Sequence, residues 1–320
     1  MIDFYRGKRV VVTGASGLIG SYAVKSLKES GAFVRAAYHN RGGNEFSELA
    51  DEQVSVNLFN PSDAMTAVHN FDVVINCAGL TGGIGYEKND PVSYVGPATS
   101  LAINVIHACY LEKVERTCFL SSTTVYPASD RPIAESDLNM GTDPYPLYHG
   151  IGWSKRFVEI LCRYYYDKVG LKSGIVRPTG AYGRFDNFAE NSSHVVPGMI
   201  HRALLAKDRF AIWGDGGDVR DLIHAEDVAR GLLLATAIAP NDPFNLGTGV
   251  GTSTMDLAQL ILKMVGSDAE IVTDPSRPVA LRTRLVDIGK ARRLLGFIPK
   301  ISLEEGIRDT LEWYRSASKS

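Results

Sequence analysis

The stretch from residue 9 to residue 20, RVVVTGASGLIG, places three glycines directly after a run of three valines. Consecutive β-branched apolar residues are typical of a strand that is buried on both faces. Residues 18 to about 28 then repeat apolar side chains at helical spacing. The stretch therefore predicts a strand, a tight turn and a helix that follow one another without a linker.

Each of these glycines has its own place in such a turn. Gly14 permits the sharp change of direction, Gly17 lets a pyrophosphate approach the main chain, and Gly20 lets helix and strand pack closely. The start of the helix offers free N–H groups and a partial positive charge to phosphates. The pattern indicates a dinucleotide-binding site, in which Leu18 and Ile19 adjoin the pyrophosphate and ribose.

Strand and helix patterns alternate over the first 180 residues. Strand-like runs lie at 9–13, 33–38, 54–57, 72–77, 116–121 and 174–176. Helical patterns lie at 18–30, 61–69, 91–112 and 149–169, and later at 194–207, 225–238, 254–265 and 302–317. Such alternation predicts right-handed βαβ units around a parallel sheet.

The predicted fold class is α/β, with a Rossmann-type doubly wound parallel sheet and a smaller C-terminal α/β substrate lobe. The rhythm of strands and helices changes after Arg177-Pro178. We therefore predict a dinucleotide-binding domain at residues 1–178. Residues 179–320 are predicted to be mainly the substrate lobe, with some of this chain returning to the core. Such a lobe lies over the carboxyl ends of the strands, where open α/β sheets bind ligands.

Composition excludes several other classes of protein. A net charge of −2 gives no global attraction to nucleic acid or to an anionic membrane. No apolar run reaches the roughly 18 residues of a membrane span, and the first residues lack the apolar region of a signal peptide. The four cysteines have no metal-ligand spacing. We expect a cytoplasmic protein with reduced thiols and without a metal site.

Further motifs follow the glycine turn in a fixed order. Ala78-Gly79 follows the fourth strand, Ser122 lies four residues before Tyr126, Lys155 lies on a long helix, and 177–179 read Arg-Pro-Thr. Together they resemble the extended short-chain dehydrogenase/reductase family, the NAD(P)-dependent epimerases and dehydratases of nucleotide sugars. The C-terminal half is most similar to the GDP-fucose synthases, which are GDP-4-keto-6-deoxymannose epimerase/reductases. The matching stretches are DNF (186–188), SHVVPGMIHR (193–202), WGDGGDVRDLIHAEDVA (213–229), FNLGTG (244–249) and ISLEEGI (301–307).

The resemblance implies a nicotinamide cofactor. The second strand ends in Tyr-His-Asn-Arg at 38–41, without the carboxylate that would bind a ribose 2′-hydroxyl. Arg41, with His39 or Ser16, suits a 2′-phosphate instead, so the sequence favours NADP over NAD. The other cofactor contacts that the resemblance implies are Asn57, Leu58, Ala78, Gly79, Lys155 and Pro178.

The active site implied by the resemblance departs from the family pattern at a decisive place. Ser122 and Lys155 are present, but Ile151 stands where the family has a Tyr one helical turn before the Lys. Loss of a general acid typically costs about 10²–10⁴-fold in rate. Tyr148 lies two turns before Lys155, roughly 10 Å along a helix. It either transfers the proton from an irregular helix start or lines the pocket.

Other positions depart from the pattern as well. Thr124 replaces the Cys of the fucose synthases, Ala98 replaces a usual Asn, and Thr123-Thr124 replace the Asp-Glu pair of the dehydratases. His194 is retained and is either a sugar-ring acid/base or a structural residue at a helix start. His149 is a weaker candidate.

The resemblance also implies where a nucleotide diphosphate binds. Arginine suits phosphate because its planar fork donates paired charge-assisted hydrogen bonds. Gly180 stands where an Asn often contacts the sugar phosphate. The implied substrate contacts are Asn187, Val195, Arg202, Trp213, Arg220 and Arg284.

Two functions fit the sequence. The first is an NAD(P)-dependent epimerase/reductase, or an atypical dehydratase, acting on a nucleoside diphosphate hexose, with a GDP-linked sugar among the candidates. The second is a catalytically impaired relative that binds cofactor and nucleotide sugar as a sensor or a partner subunit. Retention of Ser122, Lys155 and His194 favours the enzyme, whereas Ile151, Ala98 and Thr124 favour the binder. The resemblance implies a homodimer built on the helices near 91–112 and 149–169.

Overall fold

The computed structural model describes residues 3–39, 42–80, 92–189, 193–276 and 281–317. The strands in these ranges are β1 (Arg9–Thr13), β2 (Phe33–Tyr38), β3 (Glu52–Ser55), β4 (Val73–Asn76), β5 (Arg116–Leu120), β6 (Lys172–Pro178), β7 (Gly180–Tyr182), β8 (Arg209–Trp213), β9 (Val219–His224), β10 (Pro243–Leu246), β11 (Gly251–Ser253), β12 (Glu270–Asp274) and β13 (Thr283–Arg284). The helices are α1 (Leu18–Glu29), α2 (Pro61–Val68), α3 (Val92–Leu111), α4 (His149–Val169), α5 (Val195–Leu205), α6 (Ala225–Ile238), α7 (Thr254–Val265), α8 (Gly289–Leu295) and α9 (Leu303–Ala317).

The main sheet has seven strands within the described residues, in the order β10-β6-β5-β4-β1-β2-β3. Each neighbouring pair is parallel, so the carboxyl ends of all seven strands lie at one edge. From β1 the chain adds strands toward one end of the sheet, and from β4 it adds them toward the other end, so the order reverses between β1 and β4. Ligands of open α/β sheets bind outside the carboxyl ends at such a reversal.

Helices cover both faces of this sheet. The alternation of side chains along β1 sends Val10 and Val12 into one apolar cluster with α1 and α6. Val11 points the other way, into a cluster with α2, α3 and α4. All three valines are fully buried, as a run of consecutive β-branched residues predicts.

A smaller unit follows β6. Here β7, β9, β11 and β13 form a second sheet, and β8 pairs with β12. Helices α5, α7 and α9 pack around a separate apolar cluster. The chain between these pieces returns to the main sheet, because β10 pairs with β6 and α6 packs against α1. The boundary at residue 178 stays a prediction.

The α/β fold class and the parallel sheet are confirmed. Helices α4, α6 and α7 have the predicted bounds, whereas β3 lies two residues earlier than predicted. The reason is a turn at Asn57, whose N–H donates to Asp63 and whose Oδ1 accepts from the N–H of Phe59. In the part of the chain that the structure describes, no helix combines the length and the apolar content that a membrane crossing needs.

Candidate functional site

The glycine turn leaves no room for side chains at two of its positions. Gly14 has a φ of +65°, and a Cβ on it would lie 2.7 Å from the main-chain nitrogen of Ala78. A Cβ on Gly20 would lie 2.1 Å from the carbonyl oxygen of Gly14. The turn therefore brings the end of β1, the start of α1 and the end of β4 into direct main-chain contact.

The first turn of α1 has no side-chain cap. Gly17 immediately precedes the helix and offers no side-chain acceptor to the N–H groups that follow. Such uncapped groups are suited to bind an anion. The amide of Asn44 donates to the Ser16 carbonyl at 3.1 Å and to Ser21 Oγ at 2.8 Å. Asn44, which the sequence did not single out, thus holds the segment after β2 against the turn.

The other predicted cofactor contacts line the same edge of the sheet. His39 is exposed at the end of β2, and Arg41 lies outside the described residues. Asn57 is exposed and Leu58 is buried, with the Leu58 carbonyl accepting a hydrogen bond from Asn104 of α3. Exposed Gly79 follows Ala78 beyond β4, and Pro178 ends β6.

Replacing Gly20 with alanine is expected to weaken both the fold and dinucleotide binding. The new Cβ overlaps the Gly14 carbonyl oxygen, so α1 must move away from the turn. Overpacking of this kind costs about 1–3 kcal/mol. Thermal unfolding and fluorescence titration with a reduced nicotinamide dinucleotide measure the two effects. Gly96→Ala is the control, because a Cβ there meets no atom within 4 Å. Equal behaviour of the two variants would contradict the prediction.

Two of the hydroxyl groups that follow β5 are candidate ligand contacts. Ser122 precedes a short 3₁₀ turn at Thr123–Val125, and its Oγ accepts a hydrogen bond from the N–H of Thr124 at 3.2 Å. The hydroxyl proton of Ser122 therefore remains for another acceptor. Thr124 Oγ1 is buried without a hydrogen-bond partner among the described residues. Because buried polar atoms nearly always have partners, this hydroxyl group is a candidate ligand contact.

The ammonium group of Lys155 lies at the end of β5. Its Nζ donates to the Leu120 carbonyl at 2.8 Å and stands 4.9 Å from the centre of the Phe119 ring. Burial lowers the pKa of Lys155 to about 8, although the charge of Glu159 acts in the opposite direction. An amine with such a pKa exchanges protons near neutral pH.

Ile151 lies one helical turn before this lysine on α4. Its side chain is only 7% exposed. At the neighbouring Gly152, a Cβ would lie 2.6 Å from the Thr124 carbonyl oxygen, so the start of α4 packs directly on the Ser122–Thr124 turn. The apolar side chain of Ile151 has no proton to exchange.

Tyr148 lies in an irregular segment before α4. Pro146–Tyr148 forms a 3₁₀ turn, and α4 begins only at His149. The guanidinium of Arg284 lies over the Tyr148 ring, 4.5 Å from its centre. Tyr148 therefore contacts Arg284, one of the residues predicted to bind the diphosphate. His149 is exposed and lies 3.5 Å from Asp143.

A buried polar network, which the sequence did not predict, fixes the ends of these elements. Glu159 of α4 accepts hydrogen bonds from Ser121 and from Arg177 of β6. Arg177 also donates to Tyr126, whose hydroxyl donates to Asn245 of β10. Burial raises the pKa of Tyr126 to about 12, which makes it a poor proton donor at neutral pH.

His194 stands immediately before α5. Its Nδ1 lies 3.1 Å from Oδ1 of Asp186, and the His194 side chain is 40% exposed. Burial lowers the pKa of the imidazole, but the hydrogen bond and the charge of Asp186 outweigh this, so the pKa is raised. The ring is charged over a wider pH range than a free imidazole.

Arg220 and Arg284 lie side by side on β9 and β13. Arg220 is 3.1 Å from the carboxylate of Asp218, whereas Arg284 Nη2 is buried without a hydrogen-bond partner in the described ranges. Burial lowers the pKa of Arg284, Tyr148 raises it, and Arg220 lowers it further. A buried N–H donor without an acceptor is costly, so this atom is suited to an anionic ligand.

The remaining predicted substrate contacts lie near the small sheet. The Arg202 guanidinium is 5.9 Å from the ring of Trp213, and its Nη1 donates to the Ala211 carbonyl. Val195 begins α5 directly after His194, and the N–H of Asn187 donates to Asp186. The roles of all these residues stay predictions.

Known proteins resemble this chain in sequence and in fold. The NAD dependent epimerase/dehydratase family matches residues 10–247. The chain is 30% identical over 319 residues to a putative GDP-L-fucose synthase 2 of Arabidopsis thaliana, covering 97% of this chain and 92% of that protein. It is 29% identical to dTDP-4-dehydro-6-deoxy-D-allose reductase of a Streptomyces species, covering 98% of both. The UDP-glucose 4-epimerase of Thermotoga maritima, solved with UDP-glucose, superposes with a TM-score of 0.85 at 26% identity, covering 97% and 99% of the two chains.

Proposed function

Because the chain belongs to the NAD dependent epimerase/dehydratase family, we propose that it modifies the sugar of a nucleoside diphosphate hexose with a nicotinamide cofactor. It is an enzyme of the extended short-chain dehydrogenase/reductase type. The proposed reaction is reduction of a 4-keto sugar, with or without epimerisation of the ring. The single observation that carries the substrate class is the buried Nη2 of Arg284, which has no hydrogen-bond partner among the described residues.

The glycine turn fits the diphosphate of the cofactor. Gly14 and Gly20 exclude side chains from the turn, and the N–H groups at the start of α1 are left uncapped by Gly17. Ala78 and Gly79 border the turn from β4. When bound there, the reduced cofactor supplies the hydride for the sugar carbonyl.

Protonation of the sugar oxygen falls to Lys155 in this proposal. Tyr126 has its hydroxyl tied to Asn245, Tyr148 lies against Arg284, and Ile151 has no proton. Of the three N–H bonds of the Lys155 ammonium, the structure assigns one to Leu120. Ser122 donates a hydrogen bond to the oxygen, Lys155 transfers a proton to it, and solvent restores the ammonium. Thr124 offers its unpartnered hydroxyl to the same region, and His194 exchanges protons on the sugar ring.

The cofactor preference that we propose is NADP over NAD. Its support is the absence of a carboxylate in residues 38–41 and the presence of Arg41. Dissociation constants for NADPH and NADH, measured before and after Arg41→Ser, test the preference. An unchanged ratio of the two constants would contradict it.

The alternative function is binding without turnover, and the observation that favours it is the buried Ile151. Mass spectrometry first identifies the bound cofactor. Incubation with intact and 4-keto GDP-, UDP- and dTDP-hexoses then separates the two functions. Product formation by any sugar supports the enzyme. Measurable binding without any product supports the sensor or partner subunit.

Tyr148 positions Arg284 for the diphosphate in this proposal. We expect Tyr148→Phe to keep the ring under the guanidinium and to leave the affinity for a nucleoside diphosphate unchanged. Tyr148→Ala removes a cation–π contact of about 0.5–2 kcal/mol and is expected to weaken that affinity by about 2- to 30-fold. Calorimetric titration measures both. A loss of turnover in Tyr148→Phe with unchanged affinity would instead identify the phenol as the proton donor.

We also propose that the chain forms a homodimer. An apolar face on α3 and α4 is exposed at Tyr110 (42%), Phe157 (47%), Ile160 (51%) and Tyr164 (57%). The last three residues lie at helical spacing, on one side of α4. A second copy of the chain would cover this face. Sedimentation equilibrium tests the proposal, and the mass of one chain would contradict it.

A further inference from the structure

A buried carboxylate lies directly behind the ring of His194. Asp186 is 3% exposed, and its Oδ1 is 3.1 Å from His194 Nδ1. Other histidines of the described chain have more accessible partners, since Glu112 beside His69 is 19% exposed and Asp143 beside His149 is 69% exposed. The environment of His194 is therefore built differently from a surface ion pair.

The hydrogen bonds of Asp186 leave part of its carboxylate unused. Oδ1 accepts from His194 and from the N–H of Asn187 at 2.8 Å. Oδ2 is buried and has no hydrogen-bond partner in the ranges that the structure describes. Burial of a carboxylate is costly unless its charge is compensated. The hydrogen bond and the charge of this carboxylate raise the pKa of the His194 ring.

The chemistry of the two groups fixes the direction of their hydrogen bond. An ionised carboxylate only accepts, so Nδ1 of His194 carries the hydrogen. In the neutral ring the other nitrogen, Nε2, then has a free lone pair and accepts protons. Because Nδ1 is engaged with the buried side of the site, Nε2 is the nitrogen available to a ligand on the partly exposed side.

We propose that Asp186 is a positioning residue for His194, which holds the ring in the Nδ1–H tautomer and presents Nε2 to the sugar. The use of Nε2 on a sugar rests on the proposed function, whereas the tautomer does not. The sequence motif DNF at 186–188 contains this aspartate, but only the contact with His194 gives it a role.

Nitrogen NMR of protein labelled at histidine tests the proposal without cofactor or substrate. His194→Gln assigns the resonances. In the wild-type protein, above the pKa of His194, we expect Nδ1 to carry the proton. In Asp186→Asn we expect loss of this tautomer preference and a lower imidazole pKa, because the charge that raises this pKa is removed. Asp186→Glu is expected to restore the raised pKa, because it restores the charge.

Controls separate positioning from folding. The resonances of the other six histidines report on the fold in each variant. Glu112→Gln is expected to shift the nitrogen resonances of His69 and to leave those of His194 unchanged. A wild-type Nε2–H tautomer, or an unchanged pKa and tautomer in Asp186→Asn, would overturn the proposal. The wild-type tautomer needs no variant of Asp186, so the test remains decisive where Asp186→Asn does not fold.

Turnover is measured separately. The assay uses a sugar nucleotide that the protein converts. Asp186→Asn is expected to lower kcat about tenfold at unchanged KM. It is also expected to move the limb of the pH profile that belongs to His194 toward lower pH. An unchanged profile would overturn the positioning role in catalysis. A normal tautomer in a protein that converts no sugar would contradict the proposed function and leave the Asp186–His194 pairing intact.

Discussion

Replacing Lys155 with methionine is expected to lower the turnover of a 4-keto sugar nucleotide by about 10²–10⁴-fold, the usual effect of losing a general acid. Methionine has nearly the length of lysine and carries no charge, so the space beside Phe119 stays filled. The loss then reflects the missing ammonium rather than a cavity. Stopped-flow oxidation of the reduced cofactor measures the chemical step.

The pH profile of the wild-type enzyme gives an independent measurement of the same group. Burial lowers the pKa of Lys155 to about 8. The ammonium is the proton donor, so its active form predominates below this pKa. The rate of carbonyl reduction is expected to fall as the pH rises through about 8, and the reverse oxidation is expected to rise over the same range.

The matched control is Lys168→Met, because Lys168 is exposed near the end of the same helix. Lys155 is also a predicted contact of the cofactor ribose, so the dissociation constant of the cofactor must be measured in each variant. Full turnover in Lys155→Met, at saturating cofactor, would assign the proton to another residue. A rate that does not depend on pH between 6 and 9 would contradict the assignment as well.

The local sequence was sufficient to predict β1, the glycine turn and α4. The valines of β1 and the glycines of the turn follow one another in the chain. Each glycine is needed because of the local geometry of the turn at its own position. Helix α4 was predicted with its bounds because prolines precede it and its apolar spacing is regular over 149–169. The resemblance to the family, rather than local pattern, was what marked Ile151 as standing where a Tyr is usual.

Contacts between distant segments were not accessible in the same way. The strand β10 is four residues long and is recognisable only because it pairs with β6. The sequence did not single out Glu159, which acquires its place in the site from hydrogen bonds with Ser121 and Arg177. Charges of this kind acquire their role from burial, which a single sequence does not report.

For Arg284, the resemblance and the structure each supplied part of the assignment. The resemblance pointed to it as a phosphate contact, among five other residues. The structure adds its position beside Arg220, its contact with the Tyr148 ring and the unpartnered Nη2. These contacts distinguish Arg284 from Arg220, whose charge is already compensated by Asp218.

Replacing Arg284 with methionine is expected to weaken the binding of a nucleoside diphosphate by about 10- to 100-fold. A hydrogen bond to a charged group contributes about 1.5–3 kcal/mol, and about 1.4 kcal/mol is a factor of ten in affinity. Calorimetric titration with GDP, UDP and dTDP measures the change without requiring turnover. The affinity for the cofactor is expected to stay the same, because the glycine turn and the start of α1 are untouched.

Arg282→Met is the matched control, because Arg282 lies two residues away and is exposed in a pair with exposed Asp215. Such surface pairs contribute little, so neither diphosphate affinity nor stability should change much. The free protein distinguishes the two arginines further. Arg284→Met removes a partly buried cation with an unpaired N–H group, so its melting temperature is expected to equal or exceed that of the wild type. A lower melting temperature with unchanged diphosphate affinity would make Arg284 a structural residue, and the substrate class would then lose its main support.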